Sequence, residues 1–158
     1  EAAEIAYRYL ADNHVPCLLY QGRYNLFNRE PEEEGILDQA SKHGSGFVAF
    51  SPLAQGLLTG RYLDGIPEDS RIARGGHLKK EALTEDVLRK IRDLNEIAAR
   101  RGQTLAEMSL AWLLKDEKVT SVIIGASSVK QIDDNLKSLD NTSFCDEEIC
   151  LINNVLSR

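Results

Sequence analysis

Apolar positions along the chain follow a helical period in some segments and form short unbroken runs in others. EAAEIAYRYLADNH, residues 1–14, carries Ala3, Ile5, Ala6, Tyr9 and Leu10 at helical spacing, and Val87, Leu88, Ile91, Leu94 and Ile97 mark one face of TEDVLRKIRDLNEIAARRG, residues 84–102. Thr84 is placed to cap that second helix and Gly102 to end it. Further helices are expected in GILDQASKHG, in LAEMSLAWLLKD behind the capping box Thr104 to Glu107, in ASSVKQIDDNLKSL and in CDEEICLINNVLSR. Ser128 and Gln131 repeat the capping-box spacing, and Cys145 or Asp146 opens the last helix. Between these lie three expected strands: VPCLLYQ led by Pro16, GFVAFS, and VTSVIIG, the most β-branched segment. GFVAFS has no polar alternation, which predicts a strand covered on both faces.

Strands alternating with helices predict an α/β fold built of parallel βαβ units, whose functional groups gather where strands end. The expected carboxyl ends are Tyr20-Gln21, Phe50-Ser51 and Ile124-Gly125, all on one side of the sheet. No repeat or linker divides residues 1–158, so one globular unit is expected, although the first helix starts at Glu1 without a cap, as if cut. A net charge of −6 and a pI near 5.1 argue against nucleic acid or an anionic membrane surface as partner. No apolar run is long enough to span a bilayer and no secretory leader is apparent, so a cytoplasmic location is expected. Cys17, Cys145 and Cys150 form no Cys-x-x-Cys pair and read as reduced, structural thiols.

Two strand ends carry candidate chemistry. Gly125, Ala126, Ser127 and Ser128 stand between the third strand and a helix start, where small residues let a phosphate approach outward-pointing N–H groups. Gln131 and Asn135, four apart on the following helix, suit hydrogen bonds to a sugar or base; the alternative is an ordinary capped βα turn. The loop in GFVAFSPLAQGLLTGRYLDGIPEDSR, with Gly56, Gly60, Arg61 and Arg71, suits a flexible strap over a polyanionic ligand, against the alternative of a solvated surface loop.

QGRYN, FSPLAQGLLTGRYLDGIPEDSR and VIIGASSVKQIDDN together resemble the carboxyl-terminal half of the aldo/keto reductase family. The branch they resemble contains bacterial glyceraldehyde-3-phosphate reductase-like enzymes and potassium-channel β subunits. The resemblance implies a (β/α)8 TIM barrel, with this chain supplying about the last three βα units and a C-terminal helix, and a site for extended NADP(H). It implies that Gln21 hydrogen-bonds the nicotinamide carboxamide and that Phe50 offers an aromatic face to the ring. Ser51, Pro52, Leu53, Ala54 and Gln55 would line the pyrophosphate, with Arg61 where relatives often carry Lys and Arg71 at a position for phosphate contact. Gly125, Ser127, Gln131, Asp134 and Asn135 would hold the adenosine 2′-phosphate end, with Asp134 where relatives carry Glu.

The catalytic Asp, Tyr, Lys and His of that family have no matching motif in these 158 residues. Tyr24 lies near Gln21 but is expected to serve packing or the substrate-pocket wall rather than proton transfer. His14, His43 and His77 lack ligand spacing, REPEEEG reads as a solvated acidic turn, and Trp112 as core. Two functions stay open. One is part of an NADP(H)-dependent reductase of small carbonyl compounds, inactive as the chain stands and prone to self-association or to pairing with an amino-terminal half. The other is a non-catalytic cofactor-binding or regulatory subunit similar to the channel β subunits.

Overall fold

Two threonines open helices by the means the sequence predicts. Thr84 Oγ1 accepts the Val87 amide at 3.2 Å to start α4, Glu85–Arg100. Thr104 Oγ1 accepts the Glu107 amide at 3.2 Å while the Glu107 carboxylate accepts the Thr104 amide at 2.8 Å, a closed capping box that starts α5, Leu105–Leu114. The computed structural model describes residues 2–157 apart from 64, 69–71, 74, 76 and 77. Its other helices are α1 Ala2–Asp12, α2 Glu30–Glu33, α3 Ile36–Lys42, α6 Val129–Leu136 and α7 Asp146–Leu156, and its strands are β1 Leu19–Arg23, β2 Gly46–Phe50 and β3 Val119–Val122.

Among the described residues the strands form one parallel sheet in the order β1-β2-β3. β1 runs opposite β2 from Leu19 with Gly46 to Arg23 with Phe50. It therefore begins and ends later than expected: Gln21 lies mid-strand opposite Val48, and Arg23 is the last residue. Pro16 lacks an amide to give to a ladder, and pairing starts only where the Gly46 amide reaches the Leu18 carbonyl at 2.9 Å. β3 also stops sooner than expected, at Val122, though the Ile123 amide still donates to the Ala49 carbonyl at 2.8 Å.

One face of the sheet is packed. Phe47 and Ala49 are wholly buried with Trp112 and Met108 of α5 and Leu94 of α4, while Val119 and Val122 of β3 join the same core. A register shift between Phe47 and Val48 leaves Thr120 as an extra residue, so that Val119 and Val122, three apart, both reach the packed side. Gly22 is required here, because a Cβ on it would stand 2.7 Å from the Phe47 ring. The opposite face is open: Leu19, Gln21, Arg23 and Ser121 are exposed, and Val48 and Phe50 half-buried. Within the described residues β2 is fully covered on one face only, Val48 and Phe50 being half-buried on the other.

Two further features depart from expectation or extend it. REPEEEG keeps its four glutamates exposed, as expected, but forms the short helix α2, in which Glu32 accepts the Tyr24 hydroxyl at 2.9 Å and Arg29 Nε at 2.9 Å, while Arg29 also donates to Asn153 of α7 at 2.6 Å. At the end of α4, Arg101 is ion-paired to Glu148 of α7 at 2.7 Å, donates to the Ser143 carbonyl at 2.9 Å and lies over the Phe144 ring, which docks the last helix. The three cysteines are free.

Candidate functional site

The exits of β1 and β2 are tied together by one buried polar residue. Asn25 is wholly buried, its Nδ2 donates to the Ser51 carbonyl at 2.9 Å, and its Oδ1 accepts the Phe27 amide at 2.9 Å. The Tyr24 amide donates to the Phe50 carbonyl at 3.3 Å, and Asn25 and Asn28 exchange backbone bonds of 3.0 Å. Sequence reasoning missed Asn25; a lone asparagine just after an apolar strand, in the quoted QGRYN, was the only available signal.

Beyond Ser51 the backbone takes conformations that side chains oppose. Ser51 has φ 54°, Ala54 46°, Gln55 59° and Gly56 104°. Left-handed backbone costs a non-glycine residue roughly 1–2 kcal/mol, so three such residues within five persist only because their surroundings fix them. The Ala54 amide donates to the Ser51 carbonyl at 3.0 Å, the Gly56 amide to Leu53 at 2.8 Å, and the Thr59 hydroxyl to Gly56 at 2.7 Å. Pro52, Ala54, Leu57, Leu58 and Tyr62 are buried. The expected flexible strap is therefore corrected over this part: residues 51–62 are an anchored ledge rooted in the core, because their leucines and Tyr62 fill it. Leu53 and Gln55 are half-buried, Arg61 is exposed and already engaged by an interaction, and Arg71 lies outside the described residues, as does His77.

The third strand leads to the start of α6 at the same end of the sheet. Gly125 and Ser127 are exposed, and Ser128 Oγ accepts the Gln131 amide at 3.3 Å. Gln131 Oε1 in turn accepts the Ser127 amide at 2.8 Å and its hydroxyl at 3.2 Å, so this side chain closes the turn on itself. Asp134 sits between Lys130 at 2.5 Å and Lys137 at 2.8 Å; those hydrogen bonds hold its carboxyl below the usual range. Asn135 is half-buried beside it.

The structure thus brings Phe50 and Ser51 to Gln55 to the exit of β2, keeps Gln21 two residues short of the end of β1 on the open face, and places Gly125, Ser127, Gln131, Asp134 and Asn135 beyond the exit of β3. Small and uncharged groups dominate the first set, which suits close approach of a ligand to the backbone. Tyr24 is not part of that surface. It is buried on the packed side, and burial together with the Glu32 carboxylate pushes its hydroxyl far above the ordinary tyrosine range. His43 stacks on Tyr7 with ring centres 4.5 Å apart and faces Glu4 at 3.3 Å, a link between α1 and α3. Among the described residues no group of three or more His, Cys, Asp or Glu could hold a metal.

Two hollows among the described residues lie elsewhere. A depression of about 840 Å³ is lined by Lys115, Asp116, Lys118, Thr142 and Ser143, at the amino end of β3, and one of about 400 Å³ by Tyr7, His14, Pro16 and His43, before β1. Neither includes a residue of the strand exits. Lys115 has a structural task there: its Nζ lies 4.2 Å from the centre of the Trp112 ring, with Arg29 5.2 Å from the same ring. The strand exits form an open ledge because a three-stranded arc encloses no volume.

Comparison with known proteins gives a consistent result. The aldo/keto reductase family model matches residues 1–157. The chain is 51% identical over 142 residues to an L-glyceraldehyde 3-phosphate reductase of Escherichia coli O157:H7, covering 87% of this chain and 41% of that protein. It is 42% identical over 129 residues to a probable voltage-gated potassium channel subunit beta of Arabidopsis thaliana, covering 80% of this chain and 39% of that one. The chain therefore spans about two fifths of these relatives' length. A solved thermostable aldo-keto reductase, crystallised with the inhibitor epalrestat, superposes with a TM-score of 0.65 at 26% identity, over 94% of this chain and 43% of that one.

Proposed function

This chain belongs to the aldo/keto reductase family, and from that premise we propose that residues 1–158 are a partial domain, the NADP(H)-binding carboxyl-terminal half of a TIM barrel that reduces aldehydes or ketones to alcohols. The observation that carries this reading is the left-handed backbone of Ser51, Ala54 and Gln55, fixed at a strand exit beside an open sheet face that presents Gln21 and Phe50. Strain of that kind gathers at ligand clamps. Relatives named for glyceraldehyde 3-phosphate reduction support the same class of reaction.

The residues present fit the cofactor. Gln21, exposed and free to give and accept hydrogen bonds, takes the carboxamide, and Phe50 offers a half-buried ring to the nicotinamide. The ledge from Ser51 to Gln55 would line the pyrophosphate, with Arg61 following it in the chain. Gly125, Ser127, Gln131, Asp134 and Asn135 flank the adenosine end, where Lys130 and Lys137 add positive charge, and Arg71 is assigned to phosphate. When bound, the reduced nicotinamide supplies hydride to a carbonyl carbon. Proton delivery is assigned to no residue of this chain, since the Tyr24 hydroxyl is held by Glu32 on the packed face. The chain by itself is inactive, works in the cytoplasm, and meets its carbonyl substrate only with its sheet edges paired to the other barrel strands.

A second reading, a non-catalytic cofactor-binding or regulatory subunit, is favoured by the channel-subunit relatives. The test uses the full-length polypeptide that carries this chain. Fluorescence titration should give tighter binding of NADPH than of NADH, with Arg71→Ala weakening NADPH more; absence of NADPH binding, or equal losses for both cofactors, refutes the assignment. NADPH oxidation with methylglyoxal separates reductase from regulator.

A further inference from the structure

The open face of the sheet ends in an exposed cation. Arg23 closes β1 directly opposite Phe50 in the parallel register. Alternation sends Gly22 toward the Phe47 ring on the packed side and Gln21 and Arg23 to the other, where Arg23 is exposed. Among the described residues it makes no ion pair and no side-chain hydrogen bond, as is also true of Arg92 on the exposed side of α4, whereas Arg8, Arg29, Arg89, Arg100 and Arg101 each meet a carboxylate. Its neighbours on that face, Gln21, Val48, Phe50 and Ser121, carry no charge. Among the described residues nothing gives this exposed arginine at a strand exit a structural task, in a chain of net charge −6.

We infer that Arg23 determines substrate specificity by taking the anionic group of a short carbonyl substrate, a phosphate monoester or a carboxylate. The inference rests on the reading that a carbonyl is reduced beside Phe50. Adjacent parallel strands stand about 4.8 Å apart, so a guanidinium on Arg23 lies within a few bonds of anything seated against the Phe50 ring. Its planar fork matches a phosphate or carboxylate with two parallel hydrogen bonds. A neutral aldehyde gains nothing from it, so the cation raises the selectivity for charged substrates rather than the rate of hydride transfer. Gln21, one pleat back on the same face, is left for the cofactor.

The experiment compares the full-length polypeptide with Arg23→Met and Arg23→Lys. Calorimetry with glycerol 3-phosphate and with succinate reads anion binding, and kinetics reads kcat/KM for glyceraldehyde 3-phosphate and succinic semialdehyde relative to neutral glyceraldehyde. Losing a charge-assisted contact is expected to lower anion binding, and the charged-to-neutral ratio, by about ten- to a hundredfold in Arg23→Met, chiefly through KM, with part recovered by Arg23→Lys. The anion that shows the larger loss identifies phosphate or carboxylate. An unchanged ratio, anion binding equal in wild type and Arg23→Met, or an equal fall in NADPH affinity overturns the inference. Anion binding that depends on Arg23 without any turnover overturns the reductase reading and leaves the anion site standing.

Discussion

Asn25 holds Ser51 across 26 residues of sequence, its amide donating to the Ser51 carbonyl at 2.9 Å from a wholly buried position. That bond fixes the first residue of the ledge in its left-handed conformation, while the other side of the same amide fixes Phe27. A packing residue of similar size could fill the volume but could not hold either backbone group.

Asn25→Ala should therefore act at two levels. It leaves the Phe27 amide without its partner and the Ser51 carbonyl with the Ala54 amide alone, and an amide left unpaired costs about 1–3 kcal/mol. The denaturant midpoint of the full-length polypeptide should fall at constant m-value, and NADPH affinity should fall with it. An intact midpoint would mean that water replaces the side chain and that Asn25 has no structural role.

Gln55→Gly tests whether strain is stored for binding. Glycine accepts the positive φ of 59° that glutamine opposes, so stability should rise by up to about 1 kcal/mol. Cofactor affinity should not rise with it, because the half-buried side chain at the ledge is lost. A fall in stability would show that Gln55 is held there by contacts worth more than the strain.

Acid should loosen the α2 region through Glu32. Burial raises its carboxyl, but the hydrogen bonds from Arg29 and Tyr24 outweigh that and hold it below its ordinary value of 4.5. A carboxyl lowered in the folded state contributes stability that is present above the unfolded value and lost as pH falls through the folded one. Urea midpoints should drop between about pH 5 and pH 3, and Glu32→Gln should start lower and drop less steeply. Equal slopes for both proteins would assign the acid sensitivity elsewhere.

The helices were legible from local rules, because Thr84, Thr104 and Ser128 carry their caps within three residues and the apolar face of α4 repeats at the helical period. Strand limits were less so. Whether Val15 or Leu19 begins β1 depends on where Gly46 lies, a contact 27 residues distant from Leu19 and invisible to periodicity. The single packed face was hidden too, since Phe50 and Val48 look like core residues yet stand on the open side. The strand exits named the site residues through resemblance, but the character of the ledge did not follow from it. Glycine and arginine suggested a loose strap, and only the burial of Leu57, Leu58 and Tyr62 reveals an anchored one. Asn25 and Arg23 were missed for one reason: their meaning comes from the strand partner, Ser51 in one case and Phe50 in the other.

The end of β2 is gripped from both sides at successive residues, Ala49 through the Ile123 amide at 2.8 Å and Phe50 through the Tyr24 amide at 3.3 Å. Backbone order there is settled when the chain folds, so a ligand arriving at the ledge meets a pre-organised surface and loses little of its binding energy to arranging it. Association should then be limited by diffusion and orientation rather than by a slow closing step, and variation in affinity among cofactor analogues should appear in how fast they leave.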